Sequence, residues 1–70
     1  MEAIETEDDM VQAIEDALRA ADERAQDDGD PAAIRSLLTF YDAGLLTSNS
    51  GLVVRLTDGS EYQVTVVRSR

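Results

Sequence analysis

Apolar residues recur along the first third of the chain at spacings of three and four. Met10, Ile14, Ala17, Leu18, Ala21 and Ala25 fall on one helical face, while Glu15, Asp16, Arg19, Asp22 and Glu23 lie off it. Thr6 followed three residues later by Asp9 is a capping-box variant, and the acids of the first turn complement the helix dipole. The pattern predicts a helix over 7–26, with residues 1–6 frayed. Asp27-Asp28-Gly29-Asp30-Pro31 breaks it: Gly29 suits a helix end, Asp30 an N-cap and Pro31 a first helical position. Ile34, Leu37, Leu38, Tyr41 and Leu45 resume helical spacing, with Gly44 placed for a Schellman motif, and predict a second helix over 31–43. Val11 and Phe40 stand off these stripes. Thr47-Ser48-Asn49-Ser50 reads as a polar connector.

From Gly51 the period changes to two. Two β-rich runs, 51–56 and 60–67, flank Asp58-Gly59, a strong hairpin signal. A two-residue loop would oppose Leu56 to Glu61 and Val54 to Gln63, mixing apolar and polar positions on each face. A three-residue loop, Thr57-Asp58-Gly59 with Gly59 left-handed, opposes Val54 to Tyr62 and Leu52 to Val64 on one face. It leaves Arg55 opposite Glu61 and Val53 opposite Gln63 on the other. The three-residue loop is therefore expected. The four glycines read as caps and turns. The expected fold is one α+β domain over 1–70, ordered ααββ, with two antiparallel helices on a C-terminal β-hairpin.

Charge divides this unit. The 70 residues carry 15 acids and 6 arginines, a formal charge of −9, with no lysine, histidine or cysteine. Residues 1–30 hold twelve acids and two arginines, a net of −10; residues 31–70 hold three acids and four arginines, a net of +1. Acidic excess without lysine resembles the proteins of salt-in halophilic archaea, where concentrated salt screens carboxylate repulsion; an ordinary acidic mesophilic protein is the alternative. No stretch approaches the roughly 20 apolar residues of a membrane span, and the acidic N-terminus is unlike a signal peptide. A soluble cytoplasmic protein is expected.

Candidate chemistry is sparse. Zinc sites built on Cys and His are excluded, as is activation of serine or threonine by histidine or lysine. The acidic loop at Asp28 fails the EF-hand pattern, because Ala32 and Thr39 occupy its fifth and twelfth positions. The glycines form no phosphate loop. No cofactor and no enzymatic activity are expected.

A partner surface has more support. An isolated hairpin has two unpaired edges and is marginally stable. Val11, Phe40, Val53 and Val67 fall outside the expected core, and Val64 and Val66 lie in a strongly β-forming run. These six are the candidate interface residues. A homodimer would cover them, with hairpin edges paired into a four-stranded sheet; a monomer whose helices wrap the hairpin is the alternative. Arg55, Arg68 and Arg70 on the hairpin are candidate nucleic-acid contacts. Helix two, with only Arg35 basic, is a poor reader of base edges. The leading expectation is a small interaction or regulatory module acting as a homodimer and on an unknown protein.

Phe40-Tyr41-Asp42-Ala43-Gly44-Leu45-Leu46 and Asp58-Gly59-Ser60-Glu61-Tyr62-Gln63-Val64-Thr65 resemble segments of small acidic, uncharacterised haloarchaeal proteins. The resemblance spans about the second half of the chain. It implies a salt-adapted cytoplasm, and it implies no activity and no site residues.

Overall fold

The computed structural model describes residues 4–45 and 48–70. Among them the order is α1 (Glu7–Asp27), β1 (Ile34–Thr39), β2 (Ser50–Leu56) and β3 (Glu61–Val66). The strands form one antiparallel sheet in the order β1-β2-β3.

Local chemistry sets the limits of α1. The Thr6 hydroxyl accepts from the Asp9 N–H at 3.1 Å, and the Asp9 carboxylate accepts from the Thr6 N–H at 3.1 Å, a complete capping box. The Glu5 N–H also donates to Asp9, so Glu5 and Thr6 are tied to the first turn. Residues 1–3 of the segment expected to fray lie outside the described residues. Glu15 and Arg19, one turn apart, pair at 2.7 Å. At the C-terminus the Asp30 N–H reaches the Ala25 carbonyl and the Gly29 N–H reaches Gln26, with Gly29 at φ +97°; this is a Schellman closure.

The expected second helix over 31–43 is not formed; residues 34–39 are strand β1, so the domain is α+β in the order αβββ. The reason lies in a bulge. Ile34 is opposite Leu56 and Leu37 is opposite Val54, while Arg35 is the extra residue between Ile34 and Ser36. One inserted residue puts Ile34 and Leu37 on the same sheet face at a spacing of three, which imitates helical periodicity. The expected Schellman motif does form, but around a single turn. The Leu45 N–H donates to Phe40 and the Gly44 N–H to Tyr41, with Gly44 at φ +76°. Leu46 and Thr47, at the start of the expected polar connector, lie outside the described residues.

The β2–β3 hairpin has the three-residue loop. Arg55 is opposite Glu61, Val54 opposite Tyr62, Val53 opposite Gln63 and Leu52 opposite Val64. Gly59 has φ +92°, and the Leu56 N–H donates to Ser60 at 2.9 Å. Asp58 fixes the turn by accepting the Ser60 N–H at 2.8 Å and hydroxyl at 2.6 Å. These same bonds, the hydroxyl first, hold its carboxyl below the usual carboxylate value.

Because β1 adds to the second edge of β2, β2 is the central strand, and Leu52, Val53 and Val54 are all buried. With Val11, Leu37 and Phe40 they form the core. α1 crosses the sheet, tethered at two points. The Ser50 hydroxyl donates to Asp8 at 2.7 Å, and the Asp22 carboxylate accepts the N–H groups of Ala33 and Ile34 at 2.9 and 3.3 Å. These tethers set the rotation of the helix. Val11, Ile14, Leu18, Asp22 and Ala25 face inward, whereas Met10, Ala17 and Ala21, expected in the stripe, are exposed. Gly51 is neither cap nor turn: it lies within β2, where a Cβ would come within 2.4 Å of the Phe40 ring and of the Val64 carbonyl oxygen.

Candidate interaction surface

The two edges of the sheet are finished differently. On β1 the Asp22 carboxylate occupies the N–H groups at the strand's start, and the bulge at Arg35 interrupts its rim. At its other end the Thr39 carbonyl accepts from Ala43 and its hydroxyl accepts from Asp42. Bulges and capped ends are the devices by which sheets discourage edge-to-edge pairing.

β3 carries none of these devices among the described residues. The Leu56–Ser60 bond establishes that Ser60, and by alternation Tyr62, Val64 and Val66, direct their backbone groups toward β2. The N–H and C=O groups of Glu61, Gln63 and Thr65 therefore point away from the sheet, and among the described residues they have no hydrogen-bond partner.

Exposed apolar side chains concentrate beside this edge. Of the large hydrophobic residues exposed among those described, Tyr62 (58%) and Val67 (67%) lie on β3 and just beyond it, Met10 lies in the first turn of α1 and Ile4 just before that helix; Tyr41 is elsewhere. Ile4, Met10, Val66 and Val67 line one groove of about 280 Å³, with Glu7 and Arg68 at its rim. A larger groove of about 480 Å³ runs between the first half of α1 and residues 39–45 and 48–51. Its carboxylates are engaged, Asp8 by Ser50 and Glu15 by Arg19.

The six candidate interface residues divide. Val64, Val66 and Val67 belong to the β3 surface, the first two half-buried. Val11, Phe40 and Val53 were expected to need cover from a partner, and this chain covers them itself, leaving Val53 2% exposed. The added strand is responsible for Val53, which lies between Leu38 and Gln63 on the neighbouring strands. The rotated helix is responsible for Val11. Sequence patterning assigns Tyr62 and Met10 to the core faces and Ile4 to the frayed end, whereas all three are exposed beside the β3 edge; the signal for Tyr62 is its place on a strand with an unpaired edge.

The three arginines are not brought together. Arg55 pairs with Glu61 at 2.9 Å near the turn. Arg68 and Arg70 lie beyond the far end of β3, about 20 Å away at strand rise, and the Arg68 side chain donates to the Arg70 carbonyl. Among the described residues no cluster of three acidic, histidine or cysteine side chains could hold a metal ion. Among them also no helix is long and apolar enough to cross a membrane.

Fold and surface together define the class, a helix-covered three-stranded antiparallel sheet with one guarded and one open edge. No family model matches the chain, and neither a curated protein nor a solved structure matches it.

Proposed function

We propose that this chain is a small non-enzymatic protein–protein interaction or regulatory module that acts as a homodimer through its sheet edge, in a salt-adapted cytoplasm. The observation that carries the reading is the contrast between the guarded β1 edge and the open β3 edge with its adjoining apolar groove. Main-chain pairing to such an edge supplies affinity, and flanking pockets supply specificity. The residue inventory agrees, since no histidine, lysine or cysteine is available for nucleophilic or general-base work. The lysine-free acidic composition and the haloarchaeal resemblance support the salt-adapted setting. Sedimentation in molar KCl tests the association. A dimer at high micromolar concentration is the expected result, and a strictly monomeric chain overturns the reading.

Nucleic-acid binding through Arg68 and Arg70 is the second reading, favoured by the exposure of both residues and by the bond that ties the Arg68 side chain to the Arg70 carbonyl. It predicts binding that weakens steeply with salt and with the double substitution Arg68→Ala and Arg70→Ala. Binding unchanged by that substitution sinks it.

A further inference from the structure

We infer that the occupant of the β3 edge is the β3 edge of a second copy, paired antiparallel about a dyad at Val64 so that each Tyr62 ring seats in the other copy's Ile4–Met10–Val66–Val67 groove. The inference rests on the homodimer reading and adds its geometry. Charge selects the occupant. Each copy carries −9, the sum of −10 over residues 1–30 and +1 over residues 31–70, so α1 and its flanks repel another copy while the sheet does not. Residues 61–70 hold Glu61, Arg68 and Arg70, and antiparallel pairing lays the arginine end of one strand along the Asp58–Glu61 end of the other.

The register follows from side-chain alternation. Opposed residues in one continuous sheet share a face, so the dyad must pass through a residue. A dyad at Val64 opposes Tyr62 to Val66 and Gln63 to Thr65 of the second copy. Tyr62 then lies on the helix face beside Ile4 and Met10, where the groove opens. Beyond the strands the same register opposes Arg68 to Ser60 and Arg70 to Asp58. A dyad at Gln63 also brings Arg68 to Asp58, but it seats Tyr62 on Val64, one pair short of the groove. A dyad at Thr65 opposes Tyr62 to Arg68. Among these, the dyad at Val64 matches the exposed aromatic to the exposed groove. The outward N–H and C=O groups of Gln63 and Thr65, unpaired in the single copy, exchange bonds across the dyad.

The absence of cysteine makes the register directly readable. Single variants Gln63→Cys, Val64→Cys and Thr65→Cys each place a thiol at one candidate dyad, where opposed Cα atoms about 4.5–5.5 Å apart fall within disulfide range. Under mild oxidation Val64→Cys is expected to form the covalent dimer at least about tenfold faster than the other two. Faster cross-linking of Gln63→Cys or Thr65→Cys overturns the register while leaving the dimer standing. A wild-type chain that sediments only as a monomer overturns the dimer itself. Two further variants read the contacts in sedimentation. Tyr62→Ala is expected to raise the dimer dissociation constant about a hundredfold, because symmetry makes a roughly tenfold loss count twice. Gln63→Pro removes an outward N–H that the monomer does not use. It is expected to abolish dimerisation with the circular-dichroism spectrum retained, and a dimer that survives it overturns edge pairing.

Discussion

Gly51 is the position at which one added methyl group should cost this domain most. A Cβ there would stand 2.4 Å from Phe40 Cε2, from Phe40 Cζ and from the Val64 carbonyl oxygen. Carbon atoms pack at about 3.5–4.0 Å, so the overlap with the ring is about 1 Å. Neither neighbour yields readily, since Phe40 is a buried core residue and the Val64 backbone belongs to the β2–β3 ladder. Overpacking of this kind costs about 1–3 kcal/mol, and the stiffer unfolded chain returns about 0.4–1 kcal/mol. A net loss of about 1.3 kcal/mol is expected for Gly51→Ala. At roughly 0.05–0.15 kcal/mol per residue, a chain of this length has a total stability of about 4–10 kcal/mol, so the loss is a large share. Thermal unfolding followed by circular dichroism should show a fall of about 5–10 °C. Pairing Gly51→Ala with Phe40→Leu should yield less than the sum of the two losses, because the smaller side chain relieves the ring overlap. Gly59→Ala provides the contrast: nothing lies within 4 Å of its Cβ, and its cost comes from φ +92° alone. A Gly51→Ala variant within about 0.5 kcal/mol of the parent would refute the packing argument.

Three other outcomes are expected. The Glu5 N–H, with Thr6 behind it, holds the Asp9 carboxyl below its ordinary 3.8. A depressed folded value contributes stability that is complete above pH 3.8 and fades as pH falls through the lower value, so the deficit of Asp9→Asn should shrink there; a deficit constant from pH 7 to 2 contradicts it. Raising KCl from 0.1 to about 1 M shortens the screening length from about 10 to about 3 Å and should raise the melting temperature, given the −10 of residues 1–30; a falling melting temperature argues against repulsion in the fold. Ser36 Oγ is buried without a hydrogen-bond partner among the described residues, so Ser36→Ala should be neutral or stabilising by up to about 1 kcal/mol in urea titration. A loss above about 1 kcal/mol would indicate a partner for that hydroxyl.

What the sequence determined by itself is whatever short-range chemistry decides. Thr6 and Asp9 begin α1, Gly29 ends it, and the pairing of Arg55 with Glu61 follows from matching side chains across a three-residue turn. Each involves residues within about a dozen positions, where capping, handedness and alternation leave few solutions. Tertiary structure decided the rest. Ile34 and Leu37 satisfy a helix and a bulged strand equally, and the free edge of β2 resolved them as a strand by offering hydrogen bonds that a separate helix could not use. The inward face of α1 was set by Asp8 and Asp22, two acids that the hydropathy pattern assigns to water. The candidate surface shows the same division. Val67 was legible as an exposed apolar residue, but Phe40, Val11 and Val53 left the surface once β1 and the rotated helix closed over them. The open β3 edge became meaningful only beside its guarded counterpart, because pairing is a property of two strands and no single segment encodes it.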